Sequence, residues 1–224
     1  MKLNALIFDF DGLILDTETP EYDAWHHIYE EHGFELPLGE WGKIIGGSGV
    51  AKFDAAQHLS QLSQGRLDPV SLRARHHLIC DSVIASNPVL PGVENLIEEA
   101  KQQHLKLAIA SSSEHAWVDG HSKRLGVYHY FDKVICSDDV APGRVKPNPD
   151  LFLLALDQLQ VACDAALVFE DSPNGVKAAK SAGIFVVAVP NPVTALLNPD
   201  GANLKLSSLA GITLQTLCEC FEVQ

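Results

Sequence analysis

Basic residues are scarce: 16 Lys and Arg stand against 29 Asp and Glu in a chain of 224 residues, a formal charge of −13. A surface this acidic repels phosphate backbones and anionic headgroups, so neither a nucleic acid nor a membrane partner is expected. Cysteine is sparse too. Cys80, Cys136, Cys163, Cys218 and Cys220 form an odd set without a C-x-x-C pair, which suggests neither a disulfide framework nor a zinc site and leaves buried or idle thiols. No apolar run approaches a membrane span, and the one before Asp9 is too short for a secretory signal core, so the cytoplasm is the expected location. Low-complexity tracts and internal repeats are missing as well. With 46% hydrophobic and 20% charged residues, the composition is that of an ordinary globular protein, and nothing in it requires more than a monomer.

What is present begins at Leu6-Ile7-Phe8, an apolar run that reads as a strand covered on both faces, followed at once by Asp9-Phe10-Asp11-Gly12. In open α/β sheets ligands sit beyond the carboxyl ends of such strands. Asp9 and Asp11 leave the strand there with the same alternation phase, so they repel each other unless a cation lies between them or one carries a proton. Both conditions suit phosphoryl transfer. A lone D-x-D-G would equally be an Asp-Gly turn.

Residues 17 to 86 then carry helical patterns only. Thr19-Pro20 reads as an N-cap and first helical position, with Tyr22, Trp25, Ile28 and Tyr29 at helical spacing behind it. Further helices are expected through Phe53 to Leu62 and from Asp68-Pro69 to the break at Ser86 to Gly92. Past that break helices and strands alternate: strands at Leu105 to Ala110, Val134 to Cys136, Ala166 to Phe169 and Phe185 to Val189, with helices between them. The pattern predicts an α/β protein with a Rossmann-like parallel sheet and helices on both faces. A catalytic core over 1–16 and 87–224 is interrupted by an inserted all-α cap over 17–86, whose crossings near the active edge suit a lid.

Other polar groups fall at strand ends or in the loops after them: Ser111 after Ile109-Ala110, Lys146 before Pro147-Asn148-Pro149-Asp150, and Glu170-Asp171 after Leu167-Val168-Phe169. Singly they read as a capping hydroxyl, a loop lysine and a helix N-terminus. Together with Asp9 and Asp11 they supply what transfer of a phosphoryl group to a carboxylate needs. One aspartate attacks phosphorus, the other protonates the leaving group, Lys146 and the Ser111 hydroxyl steady the charge, and a divalent cation sits on the acids. Hard carboxylates without His or Cys at matching spacing favour Mg²⁺.

These residues resemble the haloacid dehalogenase-like superfamily, and in particular its β-phosphoglucomutase-like phosphatase and mutase branch. Asp9 to Glu18 is similar to the first motif, Ser111 to the second, Lys146 in K-P-x-P-D-x-F to the third, and Phe169-Glu170-Asp171-Ser172 with Gly175 to the fourth. The resemblance implies Asp9 as nucleophile and Asp11 as general acid and base. It also implies Mg²⁺ surrounded by Asp9, Asp11, Glu170 and Asp171, with Asp11 contributing its main-chain carbonyl. The expected partner is a small phosphorylated metabolite. Candidate substrate contacts are Glu18, Trp25, Gly47, Lys52 and Ser112.

Mutase relatives carry a His in the first cap helix and an Arg in the cap loop. Here Glu21 takes the first position, and Gly46 to Lys52 contains no Arg. The reading is therefore a phosphatase, with a phosphosugar mutase as the alternative. A dehalogenase would need neither Asp11 nor Glu170-Asp171, and a phospho-receiver module would need no lid. His26-His27 and His76-His77 are read as exposed or satisfied imidazoles, since neighbours on a helix point apart.

Overall fold

The computed structural model describes residues 2–45 and 53–222. Its centre is a six-stranded parallel sheet in the order β3-β2-β1-β4-β5-β6, formed by β1 (Ala5–Phe8), β2 (Lys106–Ala110), β3 (Lys133–Ile135), β4 (Ala166–Glu170), β5 (Phe185–Ala188) and β6 (Leu204–Lys205). β1 is flanked on both sides, Ala5 aligning with Lys106 of β2 and with Ala166 of β4. Both faces of the sheet are covered, and alternation assigns side chains to them. Leu6, Phe8, Leu167 and Phe169 pack into one core, whereas Ala5, Ile7, Ala166 and Val168 pack into the other.

Among the described residues, the first four of the five helices between β1 and β2 are α1 (Glu18–Glu31), α2 (Leu38–Trp41), α3 (Ala55–Leu62) and α4 (Pro69–Ser86). Trp25, Ile28, Tyr29, Trp41, Leu59 and Leu72 share a third core there, closed by Val193 from the loop after β5. Then follow α5 (Val93–Gln102), α6 (His115–Arg124), α7 (Asp150–Leu159), α8 (Pro173–Ser181) and α9 (Leu214–Glu222). α5 and α9 cover one face, contributing Leu96, Ile97, Leu214 and Leu217, while α7 and α8 cover the other with Leu151, Phe152, Val176 and Ala179. No helix among the described residues is long and apolar enough to cross a bilayer.

Local chemistry sets the helix starts. Asp54 accepts a hydrogen bond from Gln57 N at 3.1 Å and opens α3, Asp68 does the same for Ser71 N at 2.9 Å before Pro69, and Ser172 for Gly175 N at 3.0 Å before Pro173. α1 departs from the expected Thr19 cap. The helix already begins at Glu18, because Asp16 Oδ1 accepts from Thr19 N at 3.1 Å and does the capping from one residue outside Thr17. Pro20 is tolerated there, since the first-turn amides have no intrahelical acceptor to lose. The two crossings of the insertion are joined: Asn87 Nδ2 donates to the Asp16 carbonyl at 2.9 Å, and Leu90 N to the Ile14 carbonyl at 2.9 Å.

Candidate active site

Parallel pairing brings the carboxyl ends of β1, β2 and β4 side by side, and it carries the sequence motifs with it. Asp9 N donates to the Phe169 carbonyl at 3.0 Å and Ser111 N to the Ile135 carbonyl at 2.9 Å, so each motif continues the sheet by one residue. Asp9, Glu170 and Asp171 are buried, with ligand atoms within 4.8 Å of one another.

The buried cation among them is Lys146. Its ammonium forms an ion pair with Asp9 Oδ1, lies 2.6 Å from Glu170 Oε1, and sits 5.1 Å over the Phe152 ring. Burial alone would lower the Lys146 pKa, yet Asp9 and Glu170 override it and hold the ammonium above its ordinary range. One cation against three carboxylates leaves an excess of negative charge. Burial, then the Glu170 carboxylate, push Asp9 up to about 8 against the pull of Lys146, and burial with Asp9 and Glu170 raises Asp171 well above the usual range.

Each acid is aimed by its surroundings. Asp171 Oδ2 accepts from Asn191 Nδ2 at 2.8 Å, whereas Asp171 Oδ1 is buried with no hydrogen-bond partner. Glu170 Oε2 accepts from Ser172 Oγ at 3.2 Å. Two glycines make room. Gly12 has φ +81°, and a Cβ on it would stand 2.2 Å from Asp171 Oδ2, while a Cβ on Gly175 would stand 1.8 Å from the Glu170 carboxyl carbon. Three hard carboxylates, an orphaned oxygen and surplus negative charge fit a divalent cation of the Mg²⁺ kind.

Asp11 lies apart from this trio. Its carboxylate accepts from Ser113 Oγ at 2.7 Å, Trp117 Nε1 at 2.8 Å and Ser111 Oγ at 3.2 Å. Of the residues placed in the metal set from sequence, three therefore converge through side chains and Asp11 faces the other way. A cavity of about 380 Å³ opens between this edge and the helical insertion, lined by Asp9, Asp11, Glu18, Glu21, Trp41 and Trp117 among others. Glu18 and Ser112 do border it. Burial raises Glu18 well above its usual range, with Asp11 and Glu21 adding to the effect. Trp25 does not border it; the indole is buried and stacks on His76 with ring centroids 4.4 Å apart, a core contact. Gly47 and Lys52 lie outside the described residues.

Ser113, Trp117, Asn191 and Trp41 were not singled out from sequence. Asn191 follows the carboxyl end of β5, so the strand-end argument would have found it. Trp117 and Ser113 gave no such signal, because their partner Asp11 is 106 and 102 positions away.

The sequence profile of the haloacid dehalogenase-like hydrolases matches residues 6–189, from the first strand to the loop after β5. The chain belongs to this family. YhcW of Bacillus subtilis, provisionally named a phosphatase, is 43% identical over 217 residues, covering 97% of both chains. The fructose-1-phosphate phosphatase YqaB of Escherichia coli is 34% identical over 188 residues, or 83% of this chain and 95% of its own. In fold, a crystal structure of β-phosphoglucomutase from Clostridium difficile is similar with a TM-score of 0.72 at 24% identity, covering 99% of this chain and 98% of that one.

Proposed function

We propose that the protein hydrolyses small phosphomonoesters of the sugar phosphate kind, with Mg²⁺, through an aspartyl-phosphate on Asp9. The observation that carries this reading is the placement of Asp9 between the buried Lys146 ammonium and the cavity, with Asp11 held separately on the cavity wall. The phosphatase names of the relatives support it.

In the first half-reaction an Asp9 oxygen attacks phosphorus and the ester P–O bond breaks, while Asp11 gives its proton to the departing alkoxide. In the second, Asp11 takes a proton from the attacking water, the acyl phosphate bond breaks, and Asp9 returns as a carboxylate with inorganic phosphate as product. Lys146 keeps Asp9 oriented and offsets charge on the transferred group. Asp9, Glu170 and Asp171, with the Asp11 main-chain carbonyl, would hold Mg²⁺, which when bound supplies positive charge to the phosphoryl oxygens. Ser113, Ser111 and Trp117 keep the Asp11 carboxyl in one place across both halves. The helical insertion over 17–86 is the cap that closes on the leaving group.

Hydrolysis is favoured over mutase chemistry because the described cavity wall carries Glu18 and Glu21 and no Lys or Arg to grip a second phosphate. Arg73 and Arg75 are committed elsewhere, to Asp54 at 2.7 Å and Glu31 at 2.6 Å. The test is to supply β-glucose 1-phosphate with Mg²⁺ and a trace of glucose 1,6-bisphosphate, following both inorganic phosphate and glucose 6-phosphate. Release of phosphate without fast isomerisation is expected. Rapid bisphosphate-dependent isomerisation with little phosphate released overturns the reading in favour of a mutase. A panel of phosphomonoesters then ranks the leaving groups.

A further inference from the structure

Away from the Asp9 trio, the Glu21, His76 and Cys80 side chains meet between α1 and α4. Cys80 Sγ lies 3.6 Å from Glu21 Oε1 and 3.8 Å from His76 Nδ1, and the three side chains each bring one possible ligand atom within 4.8 Å of the other two. Around Zn²⁺, with bonds of about 2.3 Å to sulfur and 2.0–2.1 Å to nitrogen or oxygen, tetrahedral ligands stand roughly 3.3–3.6 Å apart. The two edges at the thiol are thus within a few tenths of an ångström of that span.

The imidazole is set up for the same role. His76 Nε2 lies 3.0 Å from the Glu21 carbonyl, and a proton on Nε2 donated there turns the Nδ1 lone pair toward Cys80; Glu21 Oε2 stands 3.3 Å from the same nitrogen. A hydrogen bond from the far ring nitrogen to a carbonyl is the usual support of a metal-bound histidine. Stacking on Trp25 fixes the ring plane, and burial lowers the His76 pKa, which keeps the imidazole neutral. Asp81 Oδ1 lies 3.7 Å from Sγ on the outer side. Glu21 borders the cavity, which gives a cation a way in and leaves a position open to water. The absence of a C-x-x-C pair hides the arrangement from the sequence, since His76 and Cys80 are one helical turn apart and Glu21 comes from another helix.

We propose that Glu21, His76 and Cys80 form a second cation site on the cavity wall, taking Zn²⁺ or a similarly soft divalent ion in preference to Mg²⁺. Binding breaks the Cys80 S–H bond, forms a sulfur–metal bond and releases the proton to solvent. Thiolate and imidazole select such ions, whereas the all-carboxylate trio suits Mg²⁺, so the two sites sort cations by softness.

The experiment titrates the full chain, reduced with a phosphine, with Co²⁺ in the presence of excess Mg²⁺ that occupies the carboxylate site. A thiolate-to-cobalt charge-transfer band in the near ultraviolet is expected, saturating at one ion per chain and displaced by Zn²⁺. Cys80→Ser should abolish the band with an unchanged circular dichroism spectrum, Cys218→Ser should keep it, and Glu21→Gln should weaken Co²⁺ binding at least about tenfold. No band in the wild type, or a band of equal amplitude in Cys80→Ser, overturns the proposal. Should Cys80→Ser not fold, Glu21→Gln decides, and unchanged Co²⁺ affinity there overturns it as well.

Discussion

Asn191 holds one oxygen of Asp171, its Nδ2 donating to Oδ2 at 2.8 Å, and thereby leaves Asp171 Oδ1 as the buried oxygen without a hydrogen bond. Asn191 is itself fixed, its Oδ1 accepting from Thr194 N at 2.9 Å and Val193 N at 3.0 Å. A residue three positions beyond the end of β5 thus selects which Asp171 carboxylate oxygen is left without a hydrogen bond. Asn191→Ala is expected to raise the Mg²⁺ concentration for half-maximal activity about 10-fold or more, with a smaller change in rate at saturating Mg²⁺. An unaltered Mg²⁺ requirement would remove Asn191 from the site.

Asp9→Asn should lower turnover at least about a thousandfold, because the amide keeps the shape and loses the attacking oxygen. Circular dichroism should show the fold retained. A near-native rate in a folded variant would take Asp9 out of the mechanism.

Lys146→Ala removes the only cation buried among three carboxylates in the described site, and breaking such a pair costs about 3–5 kcal/mol. Chelator-treated variant protein is expected to melt well below the wild type, and Mg²⁺ to restore part of the difference. Equal melting temperatures with and without the lysine would contradict the ion pairs described here.

With a chelator present, pH should act through the raised acids. The folded protein keeps a proton on Asp9 up to about 8, whereas an aspartate in the unfolded chain has released it by about 4. The folded state therefore binds more protons across that window, and stability is fully present below it and falls as pH rises through it. Asp171 acts in the same direction. Chelated protein should melt at lower temperature at about pH 8.5 than at about pH 5.5, and Mg²⁺ should flatten the profile by taking the place of the protons. A midpoint that climbs over this range under chelation would refute the raised Asp9.

Gly175→Ala tests the room made for Glu170. A methyl 1.8 Å from its carboxyl carbon cannot be accommodated without moving α8 or the acid, so Mg²⁺ dependence should shift to higher concentration, and thermal stability should fall by about 1–3 kcal/mol. Gly120→Ala, inside α6 where a Cβ meets nothing within 4 Å, is the control and should leave the Mg²⁺ dependence unchanged and stability equal or raised by up to about 1 kcal/mol.

The sheet edge that carries the candidate site was legible in the sequence because each motif is an apolar run ended by a polar residue, a pattern that survives without knowing what pairs with what. Asp9, Ser111 and Glu170 are of this kind. What aims them was not legible: Trp117 and Ser113 reach Asp11 only once β1 and β2 are adjacent, and no local pattern encodes that neighbour. The short elements escaped for another reason. α2 has four residues and β6 two, too few to establish a period, and α9 is recognised by its packing on α5. Trp25 shows the opposite failure. Its spacing fits a core helix and a substrate wall alike, and only the stacked His76 places it in the core.

The central strand is also the first one in the chain, and its partners begin roughly a hundred and a hundred and sixty residues downstream. On a ribosome adding about 5–20 residues per second, Leu6, Ile7 and Phe8 wait several seconds for β2 and longer for β4. The contact order of the sheet is therefore high, and its nucleation must await late synthesis while the helices of the insertion can collapse early. The nascent chain should pass through a stage in which this wholly apolar strand is unpaired, a period of exposure to chaperones that a circular permutant starting near Asn87 would largely abolish.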